Sequence, residues 1–589
     1  MAASIGAACA NRSMRATSGF CTFANNWTKN CAKAWTKKRA KNWTSAAAAI
    51  LLFGSLPQIT LAAQARHEMV VAESEPAANA GLEILHQGGN AIDAAVATSL
   101  ALGVTNAGSC GMGGGGFMLI YLARTKSLYA LDYREEAPRA ATADMYLRNG
   151  KPDEDLARTG ALAIAVPGEV AGLDAALKRF GTMKFQAVAA PAIKLARDGF
   201  PLGPHTAQEL LMTEPMFASD VAFHTIYYTT DGKPQAAGAT LYNHDLAGLM
   251  QRLGDDPGAN FYHGAIADAI AGFIQEHGGI VTAKDLAAYQ PMWRDPIHLA
   301  YRNYVVYTVP PPSSGGIVLE MLGMLSNSPI AGLGINSPPY LARLIEVMRQ
   351  GFIDRQQYAD PAFVNVPVPE LLSPQQIGED RDRAFHHTNQ PPAIPAAHDH
   401  GTSNFAIVDK AGNVVDITTT VNTIFGAKLM VPGFGLILND EMDDFAVAPG
   451  VPNAFKLVGD KNNDVAPGKR PLSSMSPVIA LENGRPALVA GGSGGPTIIS
   501  GVIQVMLNVL DFELDPVAAI AAPRIHEQAE PDVVVVEQSM PVKTKSQLIA
   551  MGYTLKVVPD LGAVSAIRIG AGSLHGAFDL RKGGGAVGD

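Results

Sequence analysis

The chain has 589 residues, 47% hydrophobic and 17% charged, a composition that demands a sizeable packed core and excludes a disordered or low-complexity protein. Its formal net charge of −9 hides an asymmetry. Residues 1–65 carry eight Lys or Arg and no Asp or Glu; without them 37 basic residues face 54 acidic ones, a net of −17 that argues against nucleic acid as a partner.

In chain order, the first segment reads as a targeting sequence. Lys37, Lys38, Arg39 and Lys41 form a basic region, Ala46 to Leu56 a short apolar stretch ended by Pro57, and Ala63-Gln64-Ala65 an A-x-A cleavage site. The apolar stretch falls short of the about 20 residues that a spanning helix needs. This is the order of a secretory signal, so residues 1–65 are expected to be a leader, the protein periplasmic or secreted, and no stable membrane span to remain once the leader is gone. Cys9, Cys21 and Cys31 lie in the leader. Cys110 is then the single cysteine of the body, with no intramolecular disulfide to form, and is expected as a small buried residue beside a Gly-rich loop.

Residues 75–103 predict two helices. Pro76 starts the first and Gly88-Gly89 ends it; Asn90 to Asp93 opens the second, which is Ala-rich, apolar nearly all round and therefore buried. The run Gly111 to Phe117 is neither a P-loop nor a dinucleotide site, since no Gly-Lys-Ser/Thr follows it and the strand-then-helix order is missing; it predicts only close backbone packing. Strands are expected over the apolar run Met118 to Leu122 and at about Leu128 to Tyr133. Residues 160–350 alternate helical patterns with Pro/Gly punctuation. Residues 386–401, with three prolines and four histidines, predict an exposed linker suited to chain cleavage.

After the linker the pattern changes to period two: a strand over Thr402 to Val408, a turn at Lys410-Ala411-Gly412, and a returning strand over Val414 to Asn422. Centring the turn on Ala411 places Thr402 opposite Thr420, with Asn422 just beyond on the same face. Directly opposed side chains lie roughly 4.5–5.5 Å apart at Cβ.

A threonine hydroxyl needs a base to act as a nucleophile. A threonine that begins a chain has one in its own α-amine, with a pKa near ~8. Gly401-Thr402 suits that solution: Thr402 Oγ attacks the unobstructed Gly401 carbonyl, the acyl group moves from N to O, and water releases the new terminus.

The run Gly401-Thr402-Ser403-Asn404-Phe405-Ala406-Ile407-Val408-Asp409 resembles the processing site of the γ-glutamyltransferase (glutathione hydrolase) family. Gln87 to Ala95, Gly113 to Met118, Arg134 to Pro138, Asn439 to Phe445 and Lys469 to Pro477 are similar to further motifs of that family, so the resemblance runs from about residue 67 to the C-terminus. It implies the N-terminal nucleophile (Ntn) hydrolase fold, a four-layer αββα sandwich with mostly antiparallel central sheets. It also implies cleavage into a large chain, 66–401, and a small chain, 402–589, that stay together as a heterodimer. The implied activity is transfer of the γ-glutamyl group of glutathione and similar compounds, through a Thr402 ester, to water or to an amino acid or dipeptide acceptor, with no metal or organic cofactor.

By the same resemblance, Arg134 pairs with the substrate α-carboxylate, a match for a guanidinium fork. Ser473 and Ser474 donate to that carboxylate; Glu441 and Asp444, assisted by Asn422, accept from the α-ammonium. Gly494 and Gly495 form the oxyanion hole, and Thr420 hydrogen-bonds the nucleophile, the place that the hairpin register gives it independently. Taken singly, the same residues read as a salt bridge, an acidic turn, turn serines and a glycine turn. Three positions depart from the family pattern: Asn404 stands where His is frequent, Pro496-Thr497 replaces a Ser-Arg pair, and Phe455 occupies the lid position of a gating Tyr. Two alternatives remain: a glutaryl- or cephalosporin-type acylase or poly-γ-glutamate hydrolase of the same superfamily, and a non-catalytic protein binding a metal at His398-Asp399-His400.

Overall fold

The computed structural model describes residues 62–217, 220–386, 401–448, 450–459 and 461–589. The basic and apolar parts of the leader, Cys9, Cys21, Cys31 and the His398-Asp399-His400 triplet lie outside them. All described residues belong to the unit Thr60–Asp589.

Two seven-stranded sheets organise that unit. In chain order the strands are β1 (Ala62–Ala65), β2 (Met69–Ala72), β3 (Gly115–Leu122), β4 (Ser127–Tyr133), β5 (Met292–Arg294), β6 (Ile297–Tyr301), β7 (Tyr304–Thr308), β8 (Thr402–Val408), β9 (Val414–Thr420), β10 (Val478–Glu482), β11 (Arg485–Ser493), β12 (Ala563–Gly570), β13 (Ser573–Ala577) and β14 (Gly585–Gly588). The first sheet runs β14-β2-β8-β9-β3-β4-β5 and the second β1-β13-β12-β11-β10-β7-β6, all pairs antiparallel. Helices α1 (Glu75–His86), α2 (Ala91–Thr105), α3 (Glu169–Phe180) and α4 (Phe185–Asp198) cover the first sheet; α5 (Gly315–Leu325), α6 (Pro338–Asp354) and α7 (Thr497–Leu510) cover the second.

Side-chain alternation builds these layers. In β8, Phe405 and Ile407 enter the core beneath α1–α4, whereas Ala406 and Val408 enter the core shared with the second sheet. Burying each of the larger two stabilises the fold by roughly 1.5–3 kcal/mol. Thr402 and Asn404 share the face of Ala406, so the expected nucleophile points between the sheets. The arrangement is the αββα sandwich expected of an Ntn hydrolase.

The two expected helices are present, the second capped by reciprocal bonds between Asn90 and Asp93 and buried nearly all round. Cys110 is buried beside the glycine run and unpaired. The run packs as closely as expected: a Cβ on Gly114 would lie 1.9 Å from the Thr420 carbonyl oxygen. That contact sets β9 against the strand bearing the run.

One expectation needs correction. The returning strand ends at Thr420, not Asn422. There the Asn422 N–H turns inward to Thr420 Oγ (2.8 Å) and Asn422 takes a positive φ of 77°, so it leaves the ladder. The A-x-A motif at residues 63–65 lies within edge strand β1, paired with β13 through Ala62↔Ala577 to Ala65↔Leu574, so a cut after Ala65 would remove that edge from the sheet. Strands β8 and β9 lie between β2 and β3, so residues before and after Gly401 interleave in one sheet.

Candidate active site

The hairpin of β8 and β9 has the expected register, Thr402↔Thr420 through Val408↔Val414. Alternation and the turn at Lys410–Gly412 suffice to place the two hydroxyls together, and the Oγ atoms are 3.0 Å apart and buried. Thr420 Oγ donates to the Gly401 carbonyl oxygen (3.1 Å) and accepts from Asn422 N–H (2.8 Å). With the Thr420 proton committed to Gly401, the Thr402 hydroxyl donates to Thr420. The expected nucleophile and the carbonyl it is expected to attack thus share one hydroxyl partner.

Gly401 is required by space. A Cβ there would lie 2.3 Å from Asn422 O and 2.4 Å from the Thr423 carbonyl carbon. Asp440 anchors that wall, accepting from Thr423 N–H (2.9 Å) and from the Thr423 hydroxyl, while Asn422 Nδ2 donates to the Asp440 carbonyl (3.0 Å). Gly401→Ala is therefore expected to displace the carbonyl from Thr420 and slow self-cleavage about 10²-fold. A time course on denaturing gels after a translation block measures this.

The acidic turn after Asp440 carries the two acids expected for the clamp, Glu441 and Asp444. Asn439 holds it in place, bridging Gly113 O (2.8 Å) and Ala165 O (3.0 Å) through Nδ2. Arg134, at the end of β4 and fully buried, donates Nη1 to Glu441 and Nη2 to Asp444, with Glu135 at 3.7 Å. The cation expected for the α-carboxylate is therefore paired with the two acids expected for the α-ammonium. Arg134 Nε also donates to Pro471 O (3.3 Å), tying the serine loop to the same guanidinium. Ser473 Oγ accepts from Met475 N–H (3.1 Å), and Ser474 Oγ accepts from Arg355 (3.4 Å).

Gly494 and Gly495 stand between β11 and the N-terminus of α7, with φ of 124° and 57° that favour glycine. Backbone N–H groups at such a helix start attract an anion. A Cβ on Gly495 would lie 2.6 Å from the Phe455 ring, so the expected lid covers the expected oxyanion glycines. Asn404 donates Nδ2 to Asp416 (3.0 Å) and Ile417 O (2.9 Å), filling its place inside the sandwich. Thr497 donates to Gly494 O (2.6 Å), closing the turn where the Ser-Arg pair is replaced.

Three residues at this site carry no motif in the sequence. Lys582 donates to the Thr402 carbonyl oxygen and pairs with Glu73 (3.2 Å), which accepts from Ser493 Oγ (2.5 Å) beside the oxyanion glycines. This chain of contacts ties the nucleophile strand to β11. The third is Arg355, behind Ser474. Most of their partners lie more than a hundred residues away, and no local spacing announces them.

Burial pushes Glu135 up to about 8 against the pull of Arg134, and raises Glu441 as well, with Glu135 and Asp444 adding to the rise. Three carboxylates around one guanidinium are not all ionised. The folded state thus holds a proton that the unfolded chain releases near its ordinary carboxylate value. That stability is fully present below the unfolded pKa and is lost as pH rises toward 8. Glu135→Gln mimics the protonated form, so its melting temperature is expected to gain on wild type between about pH 5 and 8 and to level off above. A constant difference across a pH series of thermal melts would exclude Glu135 as the source.

Comparison with known proteins finds relatives over most of the chain. The model of the Gamma-glutamyltranspeptidase family matches residues 77–589. The glutathione hydrolase proenzyme of Escherichia coli is 38% identical over 529 residues, covering 88% of this chain and 91% of its own, and that of Pseudomonas aeruginosa is 39% identical over 525, covering 87% and 93%. Among solved structures, a cephalosporin acylase from Bacillus halodurans superposes with a TM-score of 0.81 at 28% identity, covering 91% of this chain and 99% of its own. A Helicobacter pylori gamma-glutamyltranspeptidase gives 0.51 at 34% identity, covering 54% and 91%. With the family model spanning the described body, and relatives this similar aligned over most of both chains, the chain belongs to the γ-glutamyltranspeptidase family.

Proposed function

We propose that this chain is a precursor that cuts itself between Gly401 and Thr402 and then acts as a γ-glutamyltransferase and glutathione hydrolase. The observation that carries the reading is the shared hydroxyl: Thr402 to Thr420 to the Gly401 carbonyl. In the first reaction Thr402 Oγ attacks the Gly401 carbonyl carbon, the C–N bond breaks in favour of an ester, and water hydrolyses the ester. The products are a carboxylate at Gly401 and a free amine at Thr402. In the second, that amine takes the Thr402 hydroxyl proton as Oγ attacks the γ-carbonyl of the donor. The N–H groups of Gly494 and Gly495 receive the oxyanion, the leaving amine departs protonated, and water or an acceptor amine resolves the γ-glutamyl ester.

The clamp selects the donor. Arg134, Ser473 and Ser474 receive the α-carboxylate; Glu441 and Asp444, with Asn422, receive the α-ammonium. Donor entry therefore requires Arg134 to exchange its internal acids for the incoming carboxylate. The two regions, 66–401 and 402–589, remain one heterodimer because their strands alternate within the first sheet. We place the leader boundary near Ala65 and the enzyme in the periplasm or outside the cell, on the basic and apolar order of the leader. No helix among the described residues is long and apolar enough to cross a membrane.

The acylase of Bacillus halodurans shares the fold, so an acylase reading is tested directly. A γ-glutamyl anilide and a glutaryl anilide differ only in the α-amine, which Glu441 and Asp444 recognise. Turnover of the first at least ~10-fold faster is expected, one charge-assisted contact being worth about that factor. Turnover of the glutaryl compound alone overturns the γ-glutamyl reading.

A further inference from the structure

The loop bearing Ser473 and Ser474 rests on a buried cation that the reactions above do not use. Arg355 follows α6 directly. Its Nε donates to Ser314 Oγ (3.0 Å) and its Nη2 to Ser474 Oγ (3.4 Å). Ser314 Oγ donates in turn to the Ser473 carbonyl (2.5 Å), and Ser314 N–H to the Met475 carbonyl (3.2 Å). One guanidinium thus braces the serine loop from both sides.

Other buried arginines here sit in ion pairs, as Arg134, Arg470 and Arg524 do. Among the described residues no carboxylate forms an ion pair with Arg355. Burial pulls it down to about 10; Asp444 nearby favours its charge and Arg134 opposes it. Together with Asp444 and Asn453 it lines a cavity of about 60 Å³ at the acidic end of the clamp. A buried guanidinium without a counter-ion is costly, and its site favours an arriving anion. A serine hydroxyl that accepts from a cation also keeps its own proton to donate elsewhere. Arg134 has to leave two acids to meet the α-carboxylate, so a second source of positive potential favours that exchange.

We propose that Arg355 is a second cation of the donor site, a positioning residue that aims Ser474 and the Ser473 loop at the substrate α-carboxylate. This rests on the γ-glutamyl reading above. The positive charge behind Ser474 compensates the carboxylate, and the fork fixes both the hydroxyl donor and the loop that carries it. The residue acts through the serines and touches no reacting atom, so its effect falls on donor affinity rather than on turnover.

The test uses processed enzyme, wild type and variant, with γ-glutamyl-p-nitroanilide and with 4-aminobutyryl-p-nitroanilide, which lacks only the α-carboxylate. Arg355→Gln is expected to raise KM for the γ-glutamyl substrate ~10-fold or more with kcat within about threefold, and to leave the 4-aminobutyryl reaction within about twofold. Combined with Ser474→Ala, it is expected to cost less than the sum of the two changes. Arg355→Lys keeps the charge but cannot brace both serines, and a selective KM rise of about threefold is expected. Should Arg355→Gln fail to fold, Arg355→Lys carries the test. Equal losses on both substrates, or an unchanged γ-glutamyl KM in Arg355→Lys, would overturn the proposal. Wild-type enzyme that turns over both substrates equally well would overturn the γ-glutamyl reading itself, and this proposal with it.

Discussion

Thr402→Ala is expected to remain a single chain on a denaturing gel where wild type separates into two, and to lose at least ~10⁴-fold in turnover of a γ-glutamyl anilide, as removal of a catalytic nucleophile does. Both effects follow from one atom. Without Oγ nothing attacks the Gly401 carbonyl, so no free amine forms at residue 402; without Oγ no γ-glutamyl ester forms either. The fold should survive, because the lost contacts are the 3.0 Å bond to Thr420 and little apolar area. Thr402→Ser retains both roles. It keeps the hydroxyl but not the methyl that restrains its rotamer, so cleavage is expected to proceed more slowly and to yield active enzyme. N-terminal sequencing of the small chain should read Thr402-Ser403-Asn404-Phe405. Cleavage of Thr402→Ala at wild-type rate would place the processing chemistry on another residue.

Arg134→Gln is expected to lower kcat/KM for a γ-glutamyl anilide about 10³-fold, because one neutral substitution removes the carboxylate's partner and leaves buried acids without their cation. It should also lower the melting temperature, since Glu135, Glu441 and Asp444 all face this guanidinium. Arg134→Lys keeps the charge but not the fork that reaches Glu441 and Asp444 separately, and a loss of about 10²-fold is expected. Self-cleavage should persist in Arg134→Lys, because the contacts among Thr402, Thr420 and Gly401 do not involve Arg134. Loss of self-cleavage together with turnover would instead assign Arg134 a role in shaping the nucleophile.

The tension at Arg134 has a physical reading. An α-amino acid carries one negative and one positive group on a single carbon. A site that grips both must keep opposite charges a few ångströms apart, and Arg134, Glu441 and Asp444 pair with each other. On the proposed reading, the donor replaces the two internal pairs of Arg134 with external ones. Selectivity then depends on the ligand carrying both groups at once, since a glutaryl chain satisfies the cation and abandons the acids.

Short-range features were legible in the residues alone. Period-two alternation from Thr402 to Thr420, with Lys410-Ala411-Gly412 as the turn, determines the register that places the two hydroxyls together, because a strand's side-chain period and a tight turn leave little other choice. The capped, all-apolar helix after Asn90 and the close packing of the glycine run followed from the same local rules. The resemblance supplied the clamp residues, whose spacing is uninformative by itself. The point at which β9 ends was misread because it is decided by a side-chain hydroxyl, Thr420 Oγ, capturing the Asn422 N–H.

What only the three-dimensional packing decided lies across the sandwich. Arg134 meets Glu441 from 307 residues away, and Lys582 meets Thr402 from 180. Arg355 reaches Ser474 across 119 residues. A charge in sequence looks the same whether it ends in water or in the interior. Its role is set by which strands and helices bring partners to it, and by the desolvation that makes an unpaired buried guanidinium seek an anion.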